Sequence, residues 1–176
     1  AYSKGGDTDA AEMRLTQAIT VFKEGARRKV PREHEFHQLG VVDALIKTGQ
    51  LQEATASAQF IQSSPLKVMA LSKLAVDWAK EGDKLSAERL LTQAVQEAGN
   101  DGYSLKIVAQ SYARVGDIRT ALSITRMIPR EFALSHVYES IADIQTQRGE
   151  ANNVLKWAAD LKSPYFKASA LLGIAF

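Results

Sequence analysis

The sequence predicts an all-α fold of stacked helix pairs, and three observations carry that expectation. A glycine followed by a polar residue recurs at Gly49-Gln50, Gly82-Asp83, Gly116-Asp117 and Gly149-Glu150, the glycines lying 33, 34 and 33 residues apart. Apolar columns hold register with it. Val41, Leu74, Val108 and Ile141 stand eight before the glycine, and Val42, Ala75, Ala109 and Ala142 seven before it. Ala54, Ala87, Ala121 and Val154 stand five after it, and Ile61, Ala94, Ile128 and Leu161 twelve after it. Composition is the third observation: four prolines in 176 residues, with 45% hydrophobic side chains, favour helix over sheet and a globular chain over a disordered one. A fixed period of this length marks one supersecondary unit used repeatedly.

The elements follow in order. Gly6-Asp7 with Ala11 opens a copy, and Ala11 to Ala18 parallels Ala87 to Ala94, so residues 6–30 read as the second half of a repeat. Glu24 to Arg32, with Arg27, Arg28 and Lys29, is a longer linker than the other junctions, and the basic stretch Lys23 to Arg32 reads as a solvated inter-helix loop. Repeats are then expected at about 31–64, 65–100, 101–129 and 130–163, with a further one beginning at 164–176. Within each, the residues before the glycine form a first helix. Val41, Val42, Leu45 and Ile46 sit at helical spacing, as do Val68, Leu71, Leu74, Ala75 and Trp78. The glycine ends that helix, where the chain must turn left-handed. Asp83 and Asp117 are placed to cap the second helix, whose apolar stripe is typified by Ala87, Leu90, Leu91 and Ala94. Second helices are expected to end near Ser64-Pro65, Pro129 and Ser163-Pro164, since proline suits the first turn of the next helix. The turn after the Gly82 unit is Gly99-Asn100-Asp101-Gly102. One helix pair has two apolar faces and cannot bury both, whereas stacked pairs can. Neither end shows a polar cap, so the chain is expected to be a segment of a longer array.

Several chemistries are disfavoured. The net charge of +2 is far from that of a dedicated nucleic-acid binder. With no cysteine there is no disulfide, thiolate metal site or cysteine nucleophile. No apolar run approaches the ~18 residues that span a bilayer. No phosphate loop, nucleophile elbow or paired-carboxylate signature is present, so the chain is expected to be neither an enzyme nor a cofactor binder. His34 and His37 are three apart, not at the metalloprotease spacing of four, and read as exposed first-turn residues. His136 stands among apolar residues and reads as a groove or core residue. Trp78, Tyr112 and Trp157 read as packing residues.

Taken together, these residues resemble the tetratricopeptide repeat family. The matches are the small residue at Ala75, Ala109 and Ala142, the aromatic four before the glycine at Trp78 and Tyr112, the glycine-acid turn, the alanine at Ala54, Ala87 and Ala121, and prolines near Pro65, Pro129 and Pro164. Val42, Leu45, Gln145 and Val154 depart from the pattern. The resemblance covers essentially the whole chain. It implies a right-handed α-solenoid whose first helices line a concave groove, acting as a protein-binding scaffold.

In such a groove, positions nine, six, three and two before each glycine face the partner. The candidate residues are Lys47, Lys73, Lys80, Lys106 and Arg114, a basic ladder suited to an acidic protein or peptide, together with Asp43, Gln110 and Asp143. The competing reading is that these cations are solvated charges in a helix's last turn, favoured there by the dipole. Leu39, Gly40, Ile107 and Glu139 occupy the sites where chaperone-binding members need lysine and asparagine, so capture of a chaperone tail is not expected. The pairs that would read RNA bases, Leu39-Gly40, Ser72-Lys73, Lys106-Ile107 and Glu139-Ser140, form no consistent polar code. The repeats could also be the helical part of a larger enzyme or regulator, and the apolar ends leave end-to-end self-association open.

Overall fold

The computed structural model describes residues 13, 14, 16, 17, 19–21, 24, 35–129 and 134–175. Most of the half repeat at 6–30, the basic linker apart from Glu24, and His34 lie outside the described residues. Every ordered element among the described residues from 35 onward is an α-helix: α1 (Glu35–Lys47), α2 (Leu51–Ala58), α3 (Ser64–Lys80), α4 (Lys84–Ala98), α5 (Gly102–Val115), α6 (Ile118–Thr125), α7 (Leu134–Gln147), α8 (Ala151–Ala159) and α9 (Pro164–Ala175). The odd-numbered helices precede the repeated glycine position, and the even-numbered ones follow it.

The glycine turn is built the same way four times. Gly116 takes φ +95°, a conformation costly for any residue with a Cβ. Its N–H bonds back to the Ala113 carbonyl at 3.1 Å, and the Asp117 N–H reaches the Tyr112 carbonyl at 2.9 Å. Equivalent pairs close α1, α3 and α7, through Gly49/Gln50, Gly82/Asp83 and Gly149/Glu150. Carbonyls that the helix end would orphan are thus satisfied within the turn. Asp83 and Asp117 cap α4 and α6 as expected, accepting from the Ser86 N–H at 2.9 Å and the Thr120 N–H at 3.0 Å. Asp101 does the same for α5 through the Ser104 N–H at 2.8 Å. Gln50 and Glu150 make no side-chain cap bond.

The even-numbered helices differ from expectation in where they stop. α2, α6 and α8 end at Ala58, Thr125 and Ala159, well before Pro65, Pro129 and Pro164. Their chains leave through tighter i→i+3 turns, including Ile61 N–H to Ala58 at 3.2 Å and Ile128 N–H to Thr125 at 3.3 Å. The twelve-after column still anchors these turns, because Ile61 and Ile128 are buried although neither is helical. Only α4, with the small Ala94 at that column, continues as a long helix.

Packing follows the sequence columns. Every residue of the four apolar columns is buried except Val41 and Leu161, which are half-buried. Each odd-numbered helix packs against the even-numbered helix after it and against the next odd-numbered helix: α1 on α3, α3 on α5, α5 on α7, and α7 on α9. The odd helices therefore form one continuous row. The even helices make their main contacts with that row rather than with one another. One apolar core runs from Val42 to Ile144, and a second cluster of Tyr138, Ala142, Val154, Ala158 and Ala170 carries it towards α9.

Candidate functional site

The faces of the odd helices turned away from the apolar columns define the site, although Ser72 is buried there and Leu39 packs on the core. Positions ten, six and two before the glycine are one turn apart, so they form a single stripe on each odd helix. On α1 the stripe is Leu39, Asp43 and Lys47; on α3 it is Ser72, Val76 and Lys80; on α5 it is Lys106, Gln110 and Arg114; on α7 it is Glu139, Asp143 and Gln147. The position nine before the glycine lies beside the stripe and meets the six-before position of the preceding repeat. Lys73 Nζ makes an ion pair with Asp43 Oδ1, and Gln110 Nε2 donates to Ser140 Oγ at 2.8 Å. The two bonds span the same sequence separation, 30 residues, so the same cross-repeat contact is made twice with different chemistry. Between them the rung is apolar, with Val76 and Ile107 half-buried and Ile107 packed on the core.

The structure divides the expected basic ladder. Lys73 is committed to Asp43, and Lys80 Nζ to Asp77 Oδ1 at 2.7 Å. Both pairs are solvent-accessible and contribute little to stability. Lys47, Lys106 and Arg114 make no ion pair among the described residues, and Lys47 and Arg114 are exposed. Arg114 offers its backbone carbonyl to Arg148 Nη1 at 2.9 Å, so the neighbouring repeat caps the end of α5 while the Arg114 side chain stays outside.

The stripe on α7 reverses sign. Asp143 accepts two bonds from Gln147 Nε2, each 3.0 Å, and Glu139 lies 3.4 Å from His136 Nδ1. Neither carboxylate has a lysine or arginine partner among the described residues. Between α7 and α9 they border a notch of about 280 Å³, lined also by His136, Ser140, Leu172 and Gly173. Gly173 explains the close approach of the helices. A Cβ there would stand 2.3 Å from the Glu139 carbonyl oxygen and 2.8 Å from both Ala142 Cβ and the Asp143 nitrogen. His136 is accordingly no core residue: its side chain is 74% exposed at the edge of the notch.

The aromatic residues behave as packing groups with satisfied polar ends. Trp78 Nε1 donates to Thr55 Oγ1 at 3.1 Å, and buried Tyr112 has its phenol pushed above the usual value by desolvation. At Gln145, where the pattern lacks an aromatic, Trp157 from the second helix approaches instead, its Nε1 donating to Gln145 Oε1 at 2.9 Å. Gln145 Nε2 donates in turn to Glu150 Oε2 at 3.1 Å, and this bond is the leading cause that holds the Glu150 carboxyl below its ordinary range. Tyr138 packs between Trp157 and Phe166, at ring-centroid distances of 6.2 and 5.1 Å.

Sequence reasoning singled out Asp43, Lys73, Gln110 and Asp143, and the structure joins Lys73 to Asp43, but the notch residues Glu139, Ser140, Leu172 and Gly173 were not among its candidates. The signal available was Gly173 itself, a glycine within a helical apolar run in the register that Lys73, Ile107 and Ser140 fill elsewhere. No group of three or more His, Asp or Glu able to hold a metal ion occurs among the described residues. No described helix is long and apolar enough to cross a membrane. No protein-family model, curated protein or solved structure matches the chain.

Proposed function

We propose that this chain is a non-catalytic protein-interaction scaffold, a right-handed solenoid of the tetratricopeptide type that holds a partner segment along its row of first helices. The observation that carries the proposal is the polar stripe on that row. Its two-before position, Lys47, Lys80, Arg114 and Gln147, is polar and exposed on all four helices, and Lys47, Lys106 and Arg114 have no ion-pair partner among the described residues. Contact between successive odd helices, with no comparable contact between even helices among the described residues, supports a curved array whose inner wall is the stripe. Such a wall suits an extended or helical protein segment more than a small substrate. Lys73 and Lys80 contribute to its shape and local neutrality more than to its charge.

The test is cross-linking mass spectrometry on partners retained by the chain as bait, with Lys47→Glu/Arg114→Glu as the control. Cross-links to the odd helices and loss of the partner in the control are expected. Cross-links confined to the even helices, with retention by the control, would refute the groove. Retention of RNA that falls steeply with salt would move the function to nucleic-acid binding.

A further inference from the structure

We infer that the partner segment is of mixed charge, carrying an acidic and a basic side chain that bridge two adjacent stripes of opposite sign. This rests on the scaffold reading above and specifies its ligand. On α5 the stripe is Lys106, Gln110 and Arg114; on α7 the equivalent stripe is Glu139, Asp143 and Gln147. The helices pack directly together, and Gln110 bonds across to Ser140 at 2.8 Å. Yet neither cation of α5 pairs with either carboxylate of α7, and none of these four charges meets an opposite lysine, arginine or carboxylate elsewhere among the described residues.

Two single-sign stripes held side by side without closing on each other leave both fields open to a third party. A uniformly acidic segment would meet Lys106 and Arg114 but be repelled by Glu139 and Asp143, and a uniformly basic one would suffer the reverse. A segment with one charge of each sign satisfies both. The carboxylates also border the notch of about 280 Å³, where half-exposed Leu172 can take the aliphatic stem of a lysine or arginine whose head group reaches Glu139 and Asp143. Ser140, already accepting from Gln110, keeps its own hydroxyl proton to donate. On the other side of α5, the apolar Val76 and Ile107 rung accommodates an uncharged residue. Packed helix axes lie about 10 Å apart and an extended chain advances about 3.3 Å per residue. Alternate side chains of an extended chain share a face, so an acidic and a basic residue that both meet the row across this distance are about two or four positions apart.

The experiment is selection of a displayed random dodecapeptide library on the wild-type chain at low ionic strength. Enriched peptides should hold an acid and a base at that spacing. Binding of an enriched peptide should fall about tenfold or more in either Lys106→Glu/Arg114→Glu or Glu139→Lys/Asp143→Lys, each checked for a native circular dichroism spectrum and melting temperature. The quadruple variant should recover binding when the peptide's acid and base are exchanged. Enrichment of uniformly acidic peptides, or loss in the α5 variant with indifference to the α7 variant, overturns the mixed-charge assignment and leaves the scaffold groove standing. Peptides indifferent to both variants, or no enrichment at all, overturn both.

Discussion

Gly173 and Gly40 share one register position and should respond oppositely to alanine. At Gly173 the new methyl would enter the backbone of α7, so Gly173→Ala is expected to destabilise by about 1–3 kcal/mol through overpacking. At Gly40 a Cβ would meet nothing within 4 Å, and Gly40→Ala is expected to stabilise by up to about 1 kcal/mol through helix propensity. Urea denaturation of the two variants beside the parent checks both signs. The capping carboxylates supply a second prediction at this scale. Asp83 and Asp101 are held below their ordinary value of 3.8, chiefly by hydrogen bonds from Ser86 and Ser104. A carboxyl whose folded value is depressed contributes stability that is fully present above its unfolded value and is lost as pH falls through the folded one. The melting temperature should therefore drop below about pH 4. Asp83→Asn/Asp101→Asn should shallow that drop, since asparagine can still cap but does not titrate. An unchanged acid limb in the double variant would show that these caps do not contribute to it.

The helical hairpin is the next unit up, and its stability lies in the columns rather than in surface ion pairs. Ala87 sits buried between α3 and α4, so Ala87→Asp places an unpaired charge there and is expected to cost about 3 kcal/mol or more. Leu91→Ala, at a fully buried site, should cost about 2–5 kcal/mol, whereas Leu155→Ala on the 48% exposed face of α8 should stay within about 0.5 kcal/mol. Chemical denaturation curves with matched slopes distinguish these outcomes. The hairpin is also where local sequence and local structure agree most closely. Glycine at the turn, aspartate beside it and alanine at its fifth residue each satisfy a requirement of the same few peptide units. The exits of the even helices were less legible. Whether a chain ends as α-helix or as a tighter turn around a buried Ile61 or Ile128 depends on what covers that isoleucine, and the covering residues come from other helices.

Across the whole molecule, contacts are made mainly between neighbouring helices, so protection should be graded along the chain. α3, α4 and α5 are covered on both sides, while α9 leaves Tyr165, Leu171 and Leu172 exposed. Amide hydrogen exchange is expected to be slowest in α3 to α5 and markedly faster in α9. Uniform protection over all helices would instead indicate a single cooperative unit. The same architecture makes the stripe separable from the core: Lys106→Glu/Arg114→Glu should change ligand binding while shifting stability by no more than about 0.5 kcal/mol, as equilibrium unfolding would show.

Local and near-neighbour constraints are visible in one dimension, which is why the helix pairs, their turns and their buried columns could be read from residue spacing alone. A left-handed turn needs glycine, an orphaned N–H needs a nearby carboxylate, and a buried face needs apolar residues at helical intervals. The same spacing also placed Asp43, Lys73, Gln110, Arg114 and Asp143 on one face of the first helices. Which of those charges are free could not be read this way. The pairing of Lys73 with Asp43, the openness of Lys106 and Arg114, the exposure of His136 and the notch at Gly173 all depend on contacts between helices about thirty residues apart in the chain. An ion pair forms or fails over a few ångströms, and that distance is set by how closely two helices pack; at the notch the approach of α9 to α7 depends in the same way on the absence of a single Cβ at Gly173.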